Sequence, residues 1–317
     1  MRQYLPAVLA ATAVATFTAG PALATALTLT GKYIKVGISD YGTLGSNDSA
    51  SPGLLHDPTG SGTFGVNDYL TPGTPHEGFA AIANEFDYTQ NDNDGYSGFG
   101  TASPVLLTGT AAMGYANAAS WTGSNAFLTI TNSYFFNPGD QRILVNTSIT
   151  ALSDLTNLAF SRSLDPDPDV NTFGSYDTNN QRGNSLYGMS DFVGAAGART
   201  GLTVALVNLN GDTYAHNTEI GVGSCCDNRS PYDVLAGNGI NTSSSDDSIN
   251  LAYLIGTLRS GQTASLTYSY SVGDNIDVVG PPTGGVPEPA TWAMMLGGMA
   301  FVGGAMRRAR GVKASHA

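Results

Sequence analysis

Hydrophobic and polar residues alternate with a period of two along several stretches of the chain, as on β-strands with one buried face. In the stretch 143–149, Ile143, Val145 and Ile149 fall on one face, and 266–272 alternates between apolar and hydroxyl residues. The stretch 247–258 also alternates, which favours a strand over a helix. Amphipathic helical periodicity of useful length is absent between the two ends of the chain.

Clusters of Gly, Asn, Asp and Ser separate these stretches and are typical of turns. The interior of the chain has no Ser- and Pro-rich linker and no repeat of fixed period. The sequence therefore predicts one all-β domain over 25–279, a large antiparallel two-sheet β-sandwich that resembles a super-sandwich. Two smaller sandwiches are the alternative.

The first 24 residues have the composition of a secretory signal peptide. Arg2 supplies a positive charge, and the stretch 5–19 that follows it is apolar and uncharged. Ala22 and Ala24 form the small-x-small pattern that signal peptidase cleaves, because its pocket admits only small side chains. We therefore predict a signal helix over 1–24, cleavage after Ala24 and export of the domain through the inner membrane.

The C-terminal end combines a linker, an apolar segment and a basic cluster. Residues 280–286 are rich in Pro and Gly, and 290–306 is apolar and uncharged. The apolar segment just reaches the lower limit for a membrane-spanning helix, about 17 residues. Basic residues that follow it favour a cytoplasmic C-terminus, and the cluster here consists of Arg307, Arg308 and Arg310. A transmembrane helix that first anchors the exported domain in the inner membrane is predicted.

Pro287, Glu288 and Pro289 precede this apolar segment, and Trp292 lies near its start, where an interfacial aromatic anchor is expected. Together with the arginine cluster, they resemble the PEP-CTERM sorting signal of Gram-negative bacteria that produce exopolysaccharide. The resemblance covers 287–317 and implies processing by an exosortase, a membrane protease, near the Pro-Glu-Pro motif. It also implies delivery to the cell surface or the extracellular matrix, with exopolysaccharide as a partner there.

Charge narrows the choice of other partners. The chain has 13 Lys and Arg residues against 25 Asp and Glu residues, and its net charge is −12. A nucleic-acid-binding protein needs a basic surface, so we exclude that class of partner. An acidic exported domain is instead suited to divalent cations, because calcium is abundant outside the cell.

The sharpest acidic motif alternates Asp with Pro. Prolines favour an extended backbone, which would put Asp165, Asp167 and Asp169 on one side of the chain. Carboxylates this close repel one another unless a cation lies between them. These residues and Asn171 are candidate ligands for calcium, since Ca²⁺ takes oxygen ligands. The favoured interpretation is nevertheless a solvated acidic turn that has Arg162 as its ion-pair partner.

Cys225 and Cys226 are adjacent, and they are the 2 cysteines of the chain. Free thiols rarely persist in an oxidising compartment. Adjacent cysteines can close only a strained ring, because disulfide geometry is specific. The favoured prediction is a vicinal disulfide, and intermolecular bridges or reduced thiols are the alternatives.

The sequence contains no nucleophile elbow, no His-Glu-x-x-His motif and no phosphate-binding loop. Several aromatic residues near Asn- and Ser-rich loops are candidates for stacking against sugar rings: Tyr88, Tyr96, Phe99, Tyr115 and Trp121. The sequence therefore predicts a secreted surface or matrix protein with a structural or adhesive, non-enzymatic role. The alternative is an extracellular carbohydrate-active enzyme, or a calcium-dependent carbohydrate-binding module, on the same β-sandwich.

Overall fold

A computed structural model describes residues 26–45, 52–70, 76–223, 225–226, 228–277 and 279. The signal peptide, the linker, the sorting motif and the transmembrane helix predicted from the sequence lie outside these residues. Within the described part of the chain, no helix has the length and apolar character that crossing a membrane requires.

The described residues form three antiparallel sheets. The smallest sheet contains β1 (Leu27–Thr30), β2 (Ile34–Ile38) and β3 (Leu54–His56). The second sheet has five strands, which are, in spatial order, β14 (Ala215–Gly221), β16 (Ser248–Leu258), β10 (Leu155–Asp165), β4 (His76–Ala83) and β5 (Phe86–Asp92).

The third sheet has nine strands. In spatial order they are β15 (Thr242–Ser245), β11 (Thr178–Arg182), β12 (Phe192–Gly197), β13 (Thr203–Asn208), β17 (Thr263–Gly273), β9 (Arg142–Ala151), β8 (Leu128–Phe136), β7 (Asn117–Ser124) and β6 (Val105–Leu106). Two short helices, α1 (Val170–Phe173) and α2 (Pro231–Ala236), lie in the connections, and α2 packs across β14 and β16.

The core lies between the two large sheets, where aromatic rings from both of them meet. Phe79 on β4 stacks on Phe160 of β10, with ring centroids 6.0 Å apart. Phe79 also meets the edge of Trp121 on β7 at 5.7 Å. Gly42 packs against the Trp121 indole so closely that a Cβ atom there would lie 2.3 Å from the ring, and its φ of +73° also favours glycine.

A buried ion pair crosses the inner face of the five-stranded sheet. Arg162 on β10 and Glu77 on β4 are 1% and 0% exposed. The Arg162 Nη2 atom donates to Glu77 Oε2 at 2.9 Å, and the Tyr270 hydroxyl donates to Glu77 Oε1. Each charge is therefore held inside the protein by the other and by a hydroxyl from the facing sheet.

The structure confirms the all-β class and the antiparallel pairing predicted from the sequence. Ile143, Val145 and Ile149 on β9 are all fully buried, as their alternation predicts. The alternating stretch near residue 250 forms the long strand β16 and not a helix. The three-stranded sheet is an addition to the two sheets that the sequence predicted.

Candidate metal centre

Asp165 and Asp167 lie where β10 ends and the chain turns toward α1. Asp165 is the last residue of β10, and its Cα pairs with that of His76 on the neighbouring strand β4. Pro166 interrupts the backbone ladder because it has no N–H group. The turn is then fixed by Asp167, whose backbone N–H donates to the carbonyl oxygen of Tyr69 at 2.9 Å.

A third carboxylate reaches this turn from a distant part of the chain. Asp246 lies in the tight connection between β15 and β16. Strand β16 pairs with β10 so that Ile249 lies opposite Leu164, and the connection is thereby brought to the end of β10. One carboxylate oxygen from each of Asp165, Asp167 and Asp246 lies within 4.8 Å of the other two.

The centre is buried, and part of its hydrogen-bonding capacity is unused. Asp165 and Asp167 are 2% and 1% exposed, whereas Asp246 is partly exposed. Asp165 hydrogen bonds to Asp246 and accepts a bond from the backbone N–H of Cys226. Oδ1 of Asp167 and Oδ1 of Asp246 are buried and have no hydrogen-bond partner among the described residues. A buried carboxylate oxygen without a partner is costly, so these two atoms call for a ligand.

Burial and mutual repulsion strongly disfavour the ionised form of these acids. Burial, followed by the charge of Asp246, raises the pKa of Asp165 to about 7. Burial, followed by the charges of Asp165 and Asp246, raises the pKa of Asp167 to about 9. Burial also raises the pKa of Asp246. A cation among the three groups would reverse each of these shifts.

Arg162, the ion-pair partner considered for this motif, does not neutralise it. Its side chain lies on the inner face of the sheet and pairs with Glu77. Salt bridges in the described part of the chain do not include Asp165, Asp167 or Asp246. The solvated acidic turn is also inconsistent with the burial of the first two carboxylates.

The donor set fits a hard divalent cation. Oxygen ligands lie about 2.3–2.6 Å from Ca²⁺, so two ligands on opposite sides of the ion are about 5 Å apart. The oxygens of Asp165, Asp167 and Asp246 satisfy this limit. These three residues would hold the ion, with remaining positions open to water or to a ligand on the Asp246 side.

The two cysteines lie beside the carboxylates. A carboxylate oxygen of Asp165 and the sulfur atoms of Cys225 and Cys226 form a second group within 4.8 Å. The two Sγ atoms are 2.7 Å apart in hydrogen-bond contact, whereas a disulfide bond is about 2.05 Å long. The Cys226 side chain and the burial of the site raise the pKa of the Cys225 thiol to about 12. No bond joins the two sulfur atoms at this distance, and the vicinal disulfide stays a prediction.

Two residues of the predicted calcium site lie elsewhere. Asp169 accepts hydrogen bonds from the backbone N–H of Arg199 at 2.6 Å and from the Thr200 hydroxyl at 2.6 Å, so it holds the loop between β12 and β13. Asn171 donates to the carbonyl oxygen of Val66 at 2.7 Å. The chain bends into α1 after Asp167, which takes both residues away from the carboxylate cluster.

The aromatic residues considered for sugar stacking differ in how far they are buried. Phe99 and Trp121 are 0% and 1% exposed and belong to the core, so their rings have no face for a ligand. Tyr115 is half-buried against Phe135, at a ring-centroid distance of 5.6 Å. The exposed members of the set are Tyr88 and Tyr96.

A polar groove of about 560 Å³ lies next to this part of the structure. Neutral amide and hydroxyl side chains from β11 and β15 line one wall, and the loop held by Asp169 lines another. Ser244 belongs to the first wall and is separated from Asp246 by a single residue. We call this feature the polar groove and define its first wall by Asn179, Gln181, Thr242 and Ser244.

Comparisons with known proteins give similarity at the level of structure. No protein-family model matches the chain, and no curated protein is similar to it. A heparan sulfate lyase, HepC from Pedobacter heparinus, is 11% identical with a TM-score of 0.36, over 78% of this chain and 37% of that one. An alpha-mannosidase from Enterococcus faecalis is 11% identical with a TM-score of 0.37, over 77% and 29% of the two chains.

A galactose mutarotase-like protein from Lactobacillus casei is 11% identical with a TM-score of 0.39, over 78% of this chain and 99% of that one. This chain thus spans less than two thirds of the lyase and of the mannosidase, but it matches the mutarotase-like protein over nearly its full length. The expected structural or adhesive, non-enzymatic role was wrong: the similar solved structures bear the names of carbohydrate-active enzymes.

Proposed function

We propose that this protein is a calcium-dependent, carbohydrate-active enzyme that works outside the cytoplasm. The observation that carries the proposal is the buried Oδ1 atom of Asp167, which has no hydrogen-bond partner among the described residues. Asp167 lies in a group of three carboxylates, with Asp165 and Asp246, and none of the three has a salt bridge in the described part of the chain. A divalent cation is the simplest ligand that satisfies this oxygen and neutralises its neighbours.

Calcium fits the donor set better than the other common divalent cations. The cluster offers carboxylate oxygens, which are hard ligands, and hard ligands suit Ca²⁺ and Mg²⁺ better than transition metals. Mg²⁺ demands near-ideal octahedral geometry and loses its waters reluctantly. Ca²⁺ accepts irregular sets of ligands and is abundant outside the cell, where the signal peptide would deliver this domain.

The three carboxylates would hold the ion together. Asp165 and Asp167 are buried, whereas Asp246 is partly exposed and can also contact a substrate. The bound ion would supply charge stabilisation to a sugar hydroxyl.

The carbohydrate part of the proposal is supported by the polar groove beside Asp246. Amide and hydroxyl groups, of the kind that line it, form hydrogen bonds with sugar hydroxyls. The proposal is consistent with the names of the lyase, the mannosidase and the mutarotase-like protein to which the chain is similar. Export and exosortase processing, as implied by the sorting signal, would place the enzyme where glycans are found.

Calcium titration of the purified protein by calorimetry tests the metal centre. The Asp167→Asn variant removes one ligand, and Asp87→Asn makes the same chemical change at an exposed residue of β5. We expect Asp167→Asn to weaken calcium binding at least tenfold and Asp87→Asn to leave it unchanged. Equal affinities in all three proteins would refute the assignment of the centre.

Turnover of a panel of polysaccharides, measured as new reducing ends and as unsaturated products, tests the enzymatic role. We expect product formation with calcium and its loss in EDTA. Glycan binding that depends on calcium but gives no product would identify a carbohydrate-binding module and would contradict the enzymatic role.

A further inference from the structure

The first wall of the polar groove is built by register between two strands. Asn179 on β11 lies opposite Ser244 on β15, and Gln181 lies opposite Thr242. Side chains alternate between the two faces of a sheet, so these four share one face, and all four line the groove. Strand β15 ends the nine-stranded sheet, which leaves this wall open along one edge.

The wall offers both donors and acceptors. Oδ1 of Asn179 accepts a bond from the Ser244 hydroxyl at 3.0 Å, and Gln181 donates through Nε2 to the carbonyl oxygen of Gly183 at 2.8 Å. Among the described residues, the amide N–H groups of Asn179, the Oε1 atom of Gln181 and the hydroxyl of Thr242 make no hydrogen bond. A ligand rich in hydroxyl groups both donates and accepts, and it therefore matches this mixture.

The opposite wall is rigid. It is the loop 197–201, in which the Gly201 N–H donates to the Gly197 carbonyl at 2.8 Å. The Asp169 carboxylate binds this loop at Arg199 and Thr200. A Cβ atom on Gly197 would lie 2.7 Å from Asp169, so only glycine permits the contact. A wall fixed in this way loses little conformational entropy when a ligand binds.

The groove is lined almost entirely by uncharged residues. Arg199 is the one charged residue that lines it. The carbonyl oxygen of Asp177 accepts a bond from the backbone N–H of Ala198, a lining residue, and Asp246 follows the lining residue Ser244 by two positions. The net charge of the chain, −12, disfavours a polyanion.

From these observations we infer that the polar groove binds an uncharged glycan chain and leads it toward Asp246. The inference rests on the proposed function, because it names the substrate class of the same site. The ligand is a neutral oligosaccharide, which Asn179, Gln181 and Thr242 would bind through its hydroxyl groups. The negative net charge of the chain disfavours uronic-acid and sulfated chains.

Calorimetric titration of the full-length protein in calcium tests the inference. The probes are neutral gluco-, manno- and galacto-oligosaccharides and an oligouronate of equal length. We expect at least one neutral probe to bind and the oligouronate to bind more weakly. Binding of the oligouronate alone, or of none of the probes, would overturn the inference.

The double variant Asn179→Ala, Gln181→Ala should weaken binding of the neutral probe about tenfold, which corresponds to the loss of one or two net hydrogen bonds. Thr150→Ala is the matched control, because Thr150 is on β9 and its hydroxyl pairs with Thr263 outside the groove. Unchanged affinity in the double variant would overturn the assignment of the wall.

A calcium titration of the same variants separates this inference from the proposed function. The groove variants should bind calcium as the unaltered protein does, since their side chains do not contact the carboxylate cluster. If calcium binds normally and the neutral probe does not bind, then the groove assignment fails while the metal centre stands. If calcium fails to bind to the unaltered protein, then the proposed function fails.

Discussion

Replacement of Asp167 by Asn should stabilise the calcium-free protein and reduce the stabilisation that calcium provides. Asn has nearly the shape of a protonated Asp, but it does not ionise. In the absence of calcium, the native state must keep Asp167 protonated, because burial and the neighbouring acids raise its pKa to about 9. The unfolded chain has no such constraint, so ionisation there favours unfolding.

The size of the effect follows from the two pKa values. The ordinary value for this group is 3.8, so the unfolded chain releases the proton above that pH, whereas the native protein retains it up to about pH 9. Stability of the calcium-free protein is therefore lost progressively as the pH rises through this window. At pH 7 the loss is on the order of 4 kcal/mol, at 1.36 kcal/mol per unit of pKa. We expect Asp167→Asn to recover about 2–4 kcal/mol of it.

Calcium should narrow the difference in stability between the two proteins. A ligand present at 100 times its dissociation constant stabilises the native state by about 2.7 kcal/mol. The unaltered protein should gain this amount, and its ionised Asp167 then becomes a ligand for the ion. Asp167→Asn should gain much less, because it has lost one of three carboxylates.

Urea unfolding at pH 7, in EDTA and in millimolar calcium, measures both effects. Asp87→Asn serves as the control and should follow the unaltered protein in both conditions, since Asp87 is exposed. Two results would refute the reasoning. One is an Asp167→Asn protein that is less stable than the unaltered protein in EDTA, and the other is an equal gain from calcium in both proteins.

Three further predictions concern other parts of the chain. Arg162→Met should destabilise the protein by about 3–5 kcal/mol because it leaves Glu77 charged and buried, and the double variant with Glu77→Gln should recover part of this loss in urea unfolding. Burial lowers the pKa of His56 to about 4 from 6.5, so stability is complete above pH 6.5 and falls toward pH 4; His56→Gln should remove this part of the pH dependence measured by thermal unfolding. Intact-mass measurement of the protein from the surface of an exopolysaccharide-producing host should give a product that begins at Thr25 and ends near Pro289, and a product with the C-terminal segment intact would contradict exosortase processing.

The strands were predictable where one face is buried, because burial of one face requires an apolar residue at every second position. The residues of β9 and β16 show this pattern clearly, and both strands lie in the middle of a sheet. Strands β11 and β15 do not show it, since Asn, Gln, Ser and Thr lie on both of their faces. A stretch of that composition is typical of a loop, and the polar groove was therefore missed.

The metal centre was predictable in part. Asp165 and Asp167 are near neighbours in sequence, so the sequence alone places them together. Asp246 joins them only because β16 pairs with β10, and the register of a long-range pairing cannot be read from either strand. The one available signal was the acidic pair Asp246 and Asp247 directly before an alternating stretch. Asp169 was included because Pro was expected to keep the chain extended, whereas the backbone turns into α1 at that residue.

The five-stranded sheet buries acids in two different ways, and the contrast supports the metal assignment. Glu77 is fully buried on the inner face, where the Arg162 guanidinium and the Tyr270 hydroxyl satisfy it. Asp167 is buried to the same degree at the end of β10, yet one of its oxygens has no partner among the described residues. A buried carboxylate that the fold satisfies has hydrogen-bonding and cationic partners, as Glu77 has, because desolvation is costly without compensation. At Asp167 the fold supplies further carboxylates in place of a cationic side chain, so the ionised carboxylates are stabilised there only when a cation from solution binds among them.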